Sequence, residues 1–123
     1  MNFVSKNLVI CHVNLNSIVN KINYVINLVE THAIDILGIS ESWLSSEIVS
    51  AGISIPGFNL IRNDSFSKSR IHGVCIYVKC HINFSEVNLT FNNVISLFLN
   101  DFKLQVVLIY RPPSYILMNA IPK

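Results

Sequence analysis

Charged residues are scarce in this chain. They make up 13% of its 123 residues, whereas hydrophobic residues make up 51%, a balance that excludes an intrinsically disordered chain. Long apolar runs are also missing. Stretches such as Leu8 to Cys11 and Val106 to Tyr110 end well short of the roughly 20 residues that a membrane-spanning helix needs. The first residues lack the apolar core of a secretory signal, so we expect no membrane insertion and no secretion, but an intracellular protein of nucleus or cytoplasm.

Cysteine is also infrequent. Cys11, Cys75 and Cys80 are three in number, which argues against a disulfide framework. Two of them adjoin His12 and His81, but both pairs lie in or beside apolar strands, whereas structural zinc ligands come in closely spaced pairs on loops. We therefore predict free, mostly buried thiols. The net charge of +2 is too small to indicate nucleic-acid binding by itself.

The amino-terminal third reads as strand, helix, strand. Leu8 to Val13 is a short apolar run, and Ser17 suits a helix N-cap. Apolar residues then recur at helical spacing, at Ile18, Ile22, Val25, Ile26 and Val29. Ala33 to Ser40 is a second apolar run. This order predicts two neighbouring strands joined by a helical crossover.

Shorter strands follow, separated by turn residues. We predict them at Phe58 to Arg62, Gly73 to Lys79, Ile82 to Leu89, Val94 to Leu99 and Lys103 to Tyr110. A tight hairpin turn is predicted at Asn100-Asp101, and Pro112-Pro113 is predicted to end the last strand. Several strands are apolar on both faces, as central strands are when one face meets a second sheet and the other meets a helix. The prediction is one layered α/β domain over residues 1–123, with one helix and about seven strands.

Four segments carry a family resemblance. They are Asn14 to Ile18 with Lys21 behind it, Asp35 to Leu44, Ile55 to Phe58 running on to Gly73 to Val78, and Tyr110 to Ser114. In this order and spacing they resemble the endonuclease domains of non-LTR retrotransposons (LINE, jockey-like), members of the endonuclease/exonuclease/phosphatase superfamily. The resemblance spans Val9 to Ser114 and leaves 115–123 as an unmatched tail. It implies the amino-terminal half of a four-layer α/β-β/α sandwich of the DNase I-like type, a truncated domain.

Asn14, Glu41 and Tyr110 are the candidate catalytic residues. Each stands at or just beyond the carboxyl end of a predicted strand, where sheet-based folds gather their ligand sites. A carboxylate such as Glu41 is a natural Mg²⁺ ligand. The resemblance gives Glu41 the Mg²⁺ role, with Mn²⁺ as a substitute, and gives Asn14 and Tyr110 contacts to the metal shell or the phosphate of DNA. Arg111 is a candidate DNA-backbone contact.

Each candidate also has a structural reading. Asn14 could be a turn residue, Glu41 a helix first-turn acid, and Tyr110 a surface aromatic of a strand. A locally basic stretch flanks Asp64 and could either contact the DNA backbone or be a solvated loop; it contains Arg62, Lys68, Arg70 and Lys79. His72 stands where the family often has glycine.

The later motifs of the family are absent from this sequence. The family adds an Asp-x-Asn segment and, near its carboxyl end, an Asp and a His, whereas Tyr115 to Lys123 contains neither Asp nor His. We therefore predict a fragment of a DNA-nicking phosphodiesterase, a hydrolase that is inactive alone, with exposed sheet surface that promotes self-association. The alternatives are a non-catalytic module that binds nucleic acid or protein, and a decayed reading frame without function.

Overall fold

The structure is a computed structural model that describes residues 7–64, 72–89 and 91–111. These residues form one α-helix, one short 3₁₀ helix and seven strands. The elements are β1 (Ile10–Asn14), α1 (Ile22–Thr31), β2 (Ile36–Ser40), the 3₁₀ helix (Ser50–Ile53), β3 (Phe58–Asn63), β4 (Val74–Lys79), β5 (Phe84–Val87), β6 (Val94–Leu99) and β7 (Leu104–Ile109). The predicted α/β class is confirmed. Neither helix in these ranges has the length and apolarity that crossing a membrane requires.

The strands form two sheets. The larger has the order β1-β2-β4-β3, with β1 and β2 parallel and the other pairs antiparallel. The smaller has the order β5-β6-β7 and is antiparallel throughout. Because α1 connects β1 to β2, the predicted crossover between neighbouring parallel strands is confirmed.

The apolar core divides between the two faces of the larger sheet. On β2, Leu37 belongs to the cluster that packs against α1, whereas its neighbour Ile36 belongs to the cluster between the sheets. Tyr77 and Ile76 divide in the same way on β4. Successive side chains of a strand point to opposite faces, so a strand buried on both sides must be apolar at nearly every position. The result is three layers: helix, four-stranded sheet and three-stranded sheet.

The predicted start of the helix is wrong by four residues. Ser17 is not its N-cap; α1 begins at Ile22 after Lys21. Ser17 has a φ of 90°, which is incompatible with a helix, and Ile18 is fully buried outside the helix. Ile18 fits the apolar pattern because it is buried, and not because it belongs to the helix. The turn that contains it is hydrogen-bonded to the loop after β2.

The turn between β6 and β7 is longer than predicted. Leu99 pairs with Leu104, so the connection contains four residues rather than the two at Asn100-Asp101. Within this connection, where the chain reverses direction, Lys103 has a left-handed backbone conformation with a φ of 52°. The strand predicted over Ile82 to Leu89 is also shorter in the structure, since only Phe84–Val87 pairs with β6. The predicted strand end at Pro112-Pro113 lies outside the described residues.

The three cysteines are free, as predicted. Cys75 is buried in the core under α1, and burial raises the pKa of its thiol to about 12. A thiol that remains protonated in this way is a weak nucleophile and a poor metal ligand. Cys11 is partly buried and Cys80 is exposed, so the thiols are less uniformly buried than the strand pattern indicates.

Candidate active site

The turn after β1 and the loop after β2 are hydrogen-bonded to each other. The amide of Ser17 donates to the carbonyl of Glu41 at 2.8 Å, and the amide of Ile18 donates to the carbonyl of Ser42 at 3.1 Å. The parallel pairing of β1 and β2 thus continues beyond the regular strands. It fixes the backbone of Glu41 at the carboxyl end of β2.

The other side of the same loop is bound to the residues that precede β4. The amide of Ser42 donates to the carbonyl of Gly73, and the amide of Trp43 donates to the carbonyl of His72, both at 3.1 Å. Glu41 therefore lies on a segment held from two sides. Such a support keeps a side chain in one position, which a ligand site requires.

Two residues of this loop have an unusual backbone conformation. Glu41 has a φ of 54° and Trp43 a φ of 56°. This left-handed conformation costs roughly 1–2 kcal/mol for a residue with a Cβ atom. It persists because the hydrogen bonds on both sides of the loop determine the backbone, and strain of this kind is concentrated at functional sites.

The structure brings the three candidate catalytic side chains together. Asn14 Nδ2 donates to Glu41 Oε2 at 2.5 Å. Tyr110, which follows β7, also faces Glu41: burial raises the pKa of the Tyr110 hydroxyl, and the charge of the Glu41 carboxylate and a hydrogen bond to it raise that pKa further. The Tyr110 hydroxyl is thus a protonated donor. Residues 96 positions apart in the chain meet at one rim of the two sheets.

Asn93 attaches Tyr110 to this rim. Its carbonyl accepts the amide of Tyr110 at 2.9 Å, and its side-chain Oδ1 accepts the amide of Gly73 at 2.8 Å. The residue is buried, with a φ of 61°, a conformation that asparagine tolerates better than most residues. Asn93 is not among the residues predicted from the sequence. The only available signal was an asparagine in a turn directly before a strand, which has many structural explanations.

Lys21 and His12 support the turn that carries Asn14. Lys21 Nζ donates to the carbonyl oxygens of Leu15 and Asn16, the second at 3.2 Å. His12 lies on the same face of β1 as Asn14, two positions earlier, and its Nε2 is hydrogen-bonded to the hydroxyl of Ser40. The contact of His12 joins β1 to β2 beside Glu41, and the contacts of Lys21 hold the turn that follows Asn14.

Arg62 is a structural residue rather than a DNA contact. Its guanidinium binds both carboxylate oxygens of Asp64 at 3.1 and 2.6 Å. The remaining hydrogen bonds go to the carbonyls of Ile48 and Ser45, at 2.6 and 3.0 Å, and to the hydroxyl of Ser50 at 3.1 Å. All five guanidinium N–H groups are therefore used within the protein. Arg62 holds the loop that follows Trp43 and has no donor left for phosphate.

The other basic candidates differ in position. Lys79 forms an ion pair with Asp35 at 3.5 Å, away from Glu41. Lys68 and Arg70 lie outside the described residues. Arg111 is exposed and directly follows Tyr110. Among the described cations of the predicted set, Arg111 is the one placed beside the candidate site.

A single carboxylate is available here for a cation. Within residues 7–64, 72–89 and 91–111, no group of three or more His, Cys, Asp and Glu side chains is arranged to hold a metal ion. Mg²⁺ does not need such a group, since it is typically bound by one or two carboxylates and completes its shell with water and phosphate. Glu41, with the amide of Asn14 beside it, fits this partial type of site. It does not fit a closed structural site such as that of zinc.

A groove of about 630 Å³ lies elsewhere on the molecule, between β3, β5 and β6. It is lined by residues such as Asn63, Asn88, Phe91 and Ser96, and by none of the three candidate catalytic residues. Volume alone does not make it the better candidate. We place the site at Glu41 because the convergent polar groups are there.

Comparison with solved structures finds DNA-processing enzymes. An AP endonuclease from Archaeoglobus fulgidus matches with a TM-score of 0.67 and 20% identity, over 86% of this chain and 42% of that chain. A variant of the 3′ phosphatase NExo from Neisseria, bound to product DNA hairpin, matches with a TM-score of 0.62 and 18% identity, over 89% and 46% of the two chains. The 3′-5′ exonuclease NExo from Neisseria meningitidis matches with a TM-score of 0.60 and 21% identity, over the same shares.

These similarities establish the fold. The described chain has a DNase I-like α/β sandwich fold and spans less than half the length of these solved structures. No protein-family model matches the chain, and a comparison with curated proteins finds no match.

Proposed function

We propose that this chain is the amino-terminal part of a Mg²⁺-dependent phosphodiesterase domain that nicks DNA, of the kind carried by non-LTR retrotransposons. The observation that carries the proposal is the meeting of Asn14, Glu41 and Tyr110 at the rim of a two-sheet sandwich. A carboxylate, an amide and a phenol are suited to one task, which is to hold a hydrated cation against a phosphate group.

Each residue has a distinct role in this proposal. Glu41 is the cation ligand, and Asn14 orients its carboxylate through the hydrogen bond from Nδ2. Tyr110 remains protonated and would donate to a phosphate oxygen, and Arg111 would contact the DNA backbone. When bound, Mg²⁺ neutralises charge that develops on the phosphoryl oxygens during attack by water.

The retrotransposon assignment is supported by two sequence segments. The turn at Pro56-Gly57 and the run Tyr110-Arg111-Pro112-Pro113 favour that branch over the abasic-site endonucleases and the phosphoinositide or sphingomyelin phosphodiesterases. The coding DNA downstream of residue 123 tests the assignment. A continuation with Asp-x-Asn and Ser-Asp-His segments supports it, whereas a stop codon or unrelated sequence favours a decayed reading frame.

We expect no strand cleavage from these 123 residues alone. Removing one acid or base group typically lowers a rate by about 10² to 10⁴, and the sequence lacks every later acidic and histidine motif of the family. The measurement is nicking of supercoiled plasmid by the purified chain with Mg²⁺ or Mn²⁺. Robust nicking that the Glu41→Ala variant abolishes would overturn the inactive part of the proposal.

A second candidate function is self-association through the outer face of the smaller sheet. Val107 and Ile109 on β7 are 45% and 65% exposed. They share this face with Phe98 and Val94 of β6, and within the described part of the chain no helix covers it. None of these residues is charged, so two copies can meet face to face without like-charge repulsion. A second copy therefore fits this face.

Val107→Lys is expected to shift the chain from oligomer to monomer, because each interface would then bury two charges. The measurement is sedimentation equilibrium over a range of concentrations. Val49→Lys is the matched control, since Val49 is exposed in the loop before the 3₁₀ helix, away from β7. A wild-type chain that remains monomeric at all concentrations would refute the proposed interface.

A further inference from the structure

His72 adjoins two parts of the candidate site. Its ring centroid lies 5.9 Å from that of Tyr110, and the two ring planes are tilted by 36°. Its carbonyl accepts the amide of Trp43 in the loop that carries Glu41. His72 is thus fixed between the phenol and the carboxylate segment, although the family often has glycine at this position.

One ring nitrogen of His72 is buried. Nδ1 is inaccessible to solvent, and no hydrogen-bond partner for it lies among residues 7–64, 72–89 and 91–111. The residue as a whole is only partly buried, so Nε2 is the nitrogen that remains for a ligand. Buried polar atoms without partners are uncommon in folded proteins and call for an explanation.

The buried Nδ1 determines which tautomer is favoured. A proton on Nδ1 would be a buried donor without an acceptor, which is worse than a buried acceptor without a donor. In the neutral form of the imidazole the proton is therefore placed on Nε2. Nε2 is then a hydrogen-bond donor beside the hydroxyl of Tyr110.

We propose that His72 is a further phosphate-contacting residue, which donates from Nε2 to a phosphate oxygen of the nucleic-acid backbone. The proposal rests on the function proposed above. Glu41 is negatively charged and would repel a phosphate unless a cation and neutral donors surround it. Tyr110 and His72 are two such donors on adjacent rings, and a backbone phosphate is the ligand that accepts from both.

Two substitutions test whether DNA binding depends on the donor nitrogen of His72 or only on its ring. In His72→Phe the ring against Tyr110 remains and the donor is lost, whereas in His72→Gln the amide nitrogen takes approximately the place of Nε2. The measurement is fluorescence anisotropy of a labelled DNA duplex with Mg²⁺. We expect His72→Phe to weaken binding about five- to tenfold, and His72→Gln to remain within about twofold of the wild type.

A spectroscopic measurement tests the tautomer directly. Long-range ¹H–¹⁵N correlation spectra of the wild-type chain are expected to show the proton on Nε2, and titration with inorganic phosphate to shift Nε2 more than Nδ1. A purely structural role would leave Nε2 unchanged. Urea unfolding of both variants establishes that differences in DNA binding do not come from loss of fold.

The outcomes distinguish this inference from the function on which it rests. If the wild-type chain binds DNA with Mg²⁺ and His72→Phe binds equally well, the role of His72 is refuted while the proposed function stands. A proton found on Nδ1 would refute it as well. If the wild-type chain shows neither Mg²⁺ nor DNA binding, both proposals fail together.

Discussion

Replacing Glu41 with Gln is expected to lower the affinity of the chain for Mg²⁺ by roughly tenfold or more, since losing even an outer-shell partner typically costs 10- to 100-fold. Glu41 provides the carboxylate at the rim formed by the loops after β1, β2 and β7. Gln has the same shape and retains an oxygen that can accept from Asn14, so the change removes charge with little change in packing.

Two measurements report this loss. Trp43 is the only tryptophan in the chain and lies two residues from Glu41, so its fluorescence should change on titration with Mg²⁺. Mn²⁺, a paramagnetic substitute, should broaden the amide signals around residue 41 in the wild type and spare them in the variant. Glu30→Gln, on the exposed face of α1, is the control with the same loss of charge. Equal weakening in both variants would show that Glu41 is not the ligand.

Replacing Leu97 with Ala is expected to lower the free energy of unfolding by about 2–5 kcal/mol. Leu97 lies on the central strand of the smaller sheet, has 0% of its surface exposed and belongs to the core between the two sheets. Its truncation leaves a cavity where the sheets meet. A domain of this size has only about 5–15 kcal/mol of stability in total, so the loss is a large fraction of it.

The measurement is urea unfolding followed by circular dichroism and Trp43 fluorescence, at two protein concentrations because self-association stabilises the folded state. We expect the midpoint to fall by about 1–3 M urea. Val87→Ala on β5 is the control; Val87 is 38% exposed, and we expect a change of about 0.5 kcal/mol or less. Equal losses of unfolding free energy in both variants would show that Leu97 contributes no more to the packing of the two sheets than the exposed Val87 does.

The sequence predicted the central elements best. β6 was predicted over Val94 to Leu99 and has those bounds in the structure. β2 and β4 were also recognised, because a strand covered on both faces must be apolar at almost every position. The start of α1 was misplaced because Ile18 is apolar for another reason, its burial outside the helix.

The candidate site was predicted in part. Asn14, Glu41 and Tyr110 were selected as groups at strand ends, and the structure brings them together; their catalytic and metal roles remain predictions. Arg62 was considered as a DNA contact, but in the structure its guanidinium forms hydrogen bonds to the loop at Ser45 to Ser50. A basic residue in a sequence does not reveal which backbone carbonyls will surround it.

The sequence by itself determined the class of fold, the approximate positions of its strands and the identity of three polar groups at their ends. These follow from local rules, because the alternation of apolar residues along a chain depends only on which faces are buried. The tertiary structure alone decided the left-handed backbone at Glu41, the link from Asn93 to Gly73 and the position of His72 against Tyr110. Those features depend on contacts between segments 20 or more residues apart, and such contacts exist only once the two sheets have packed.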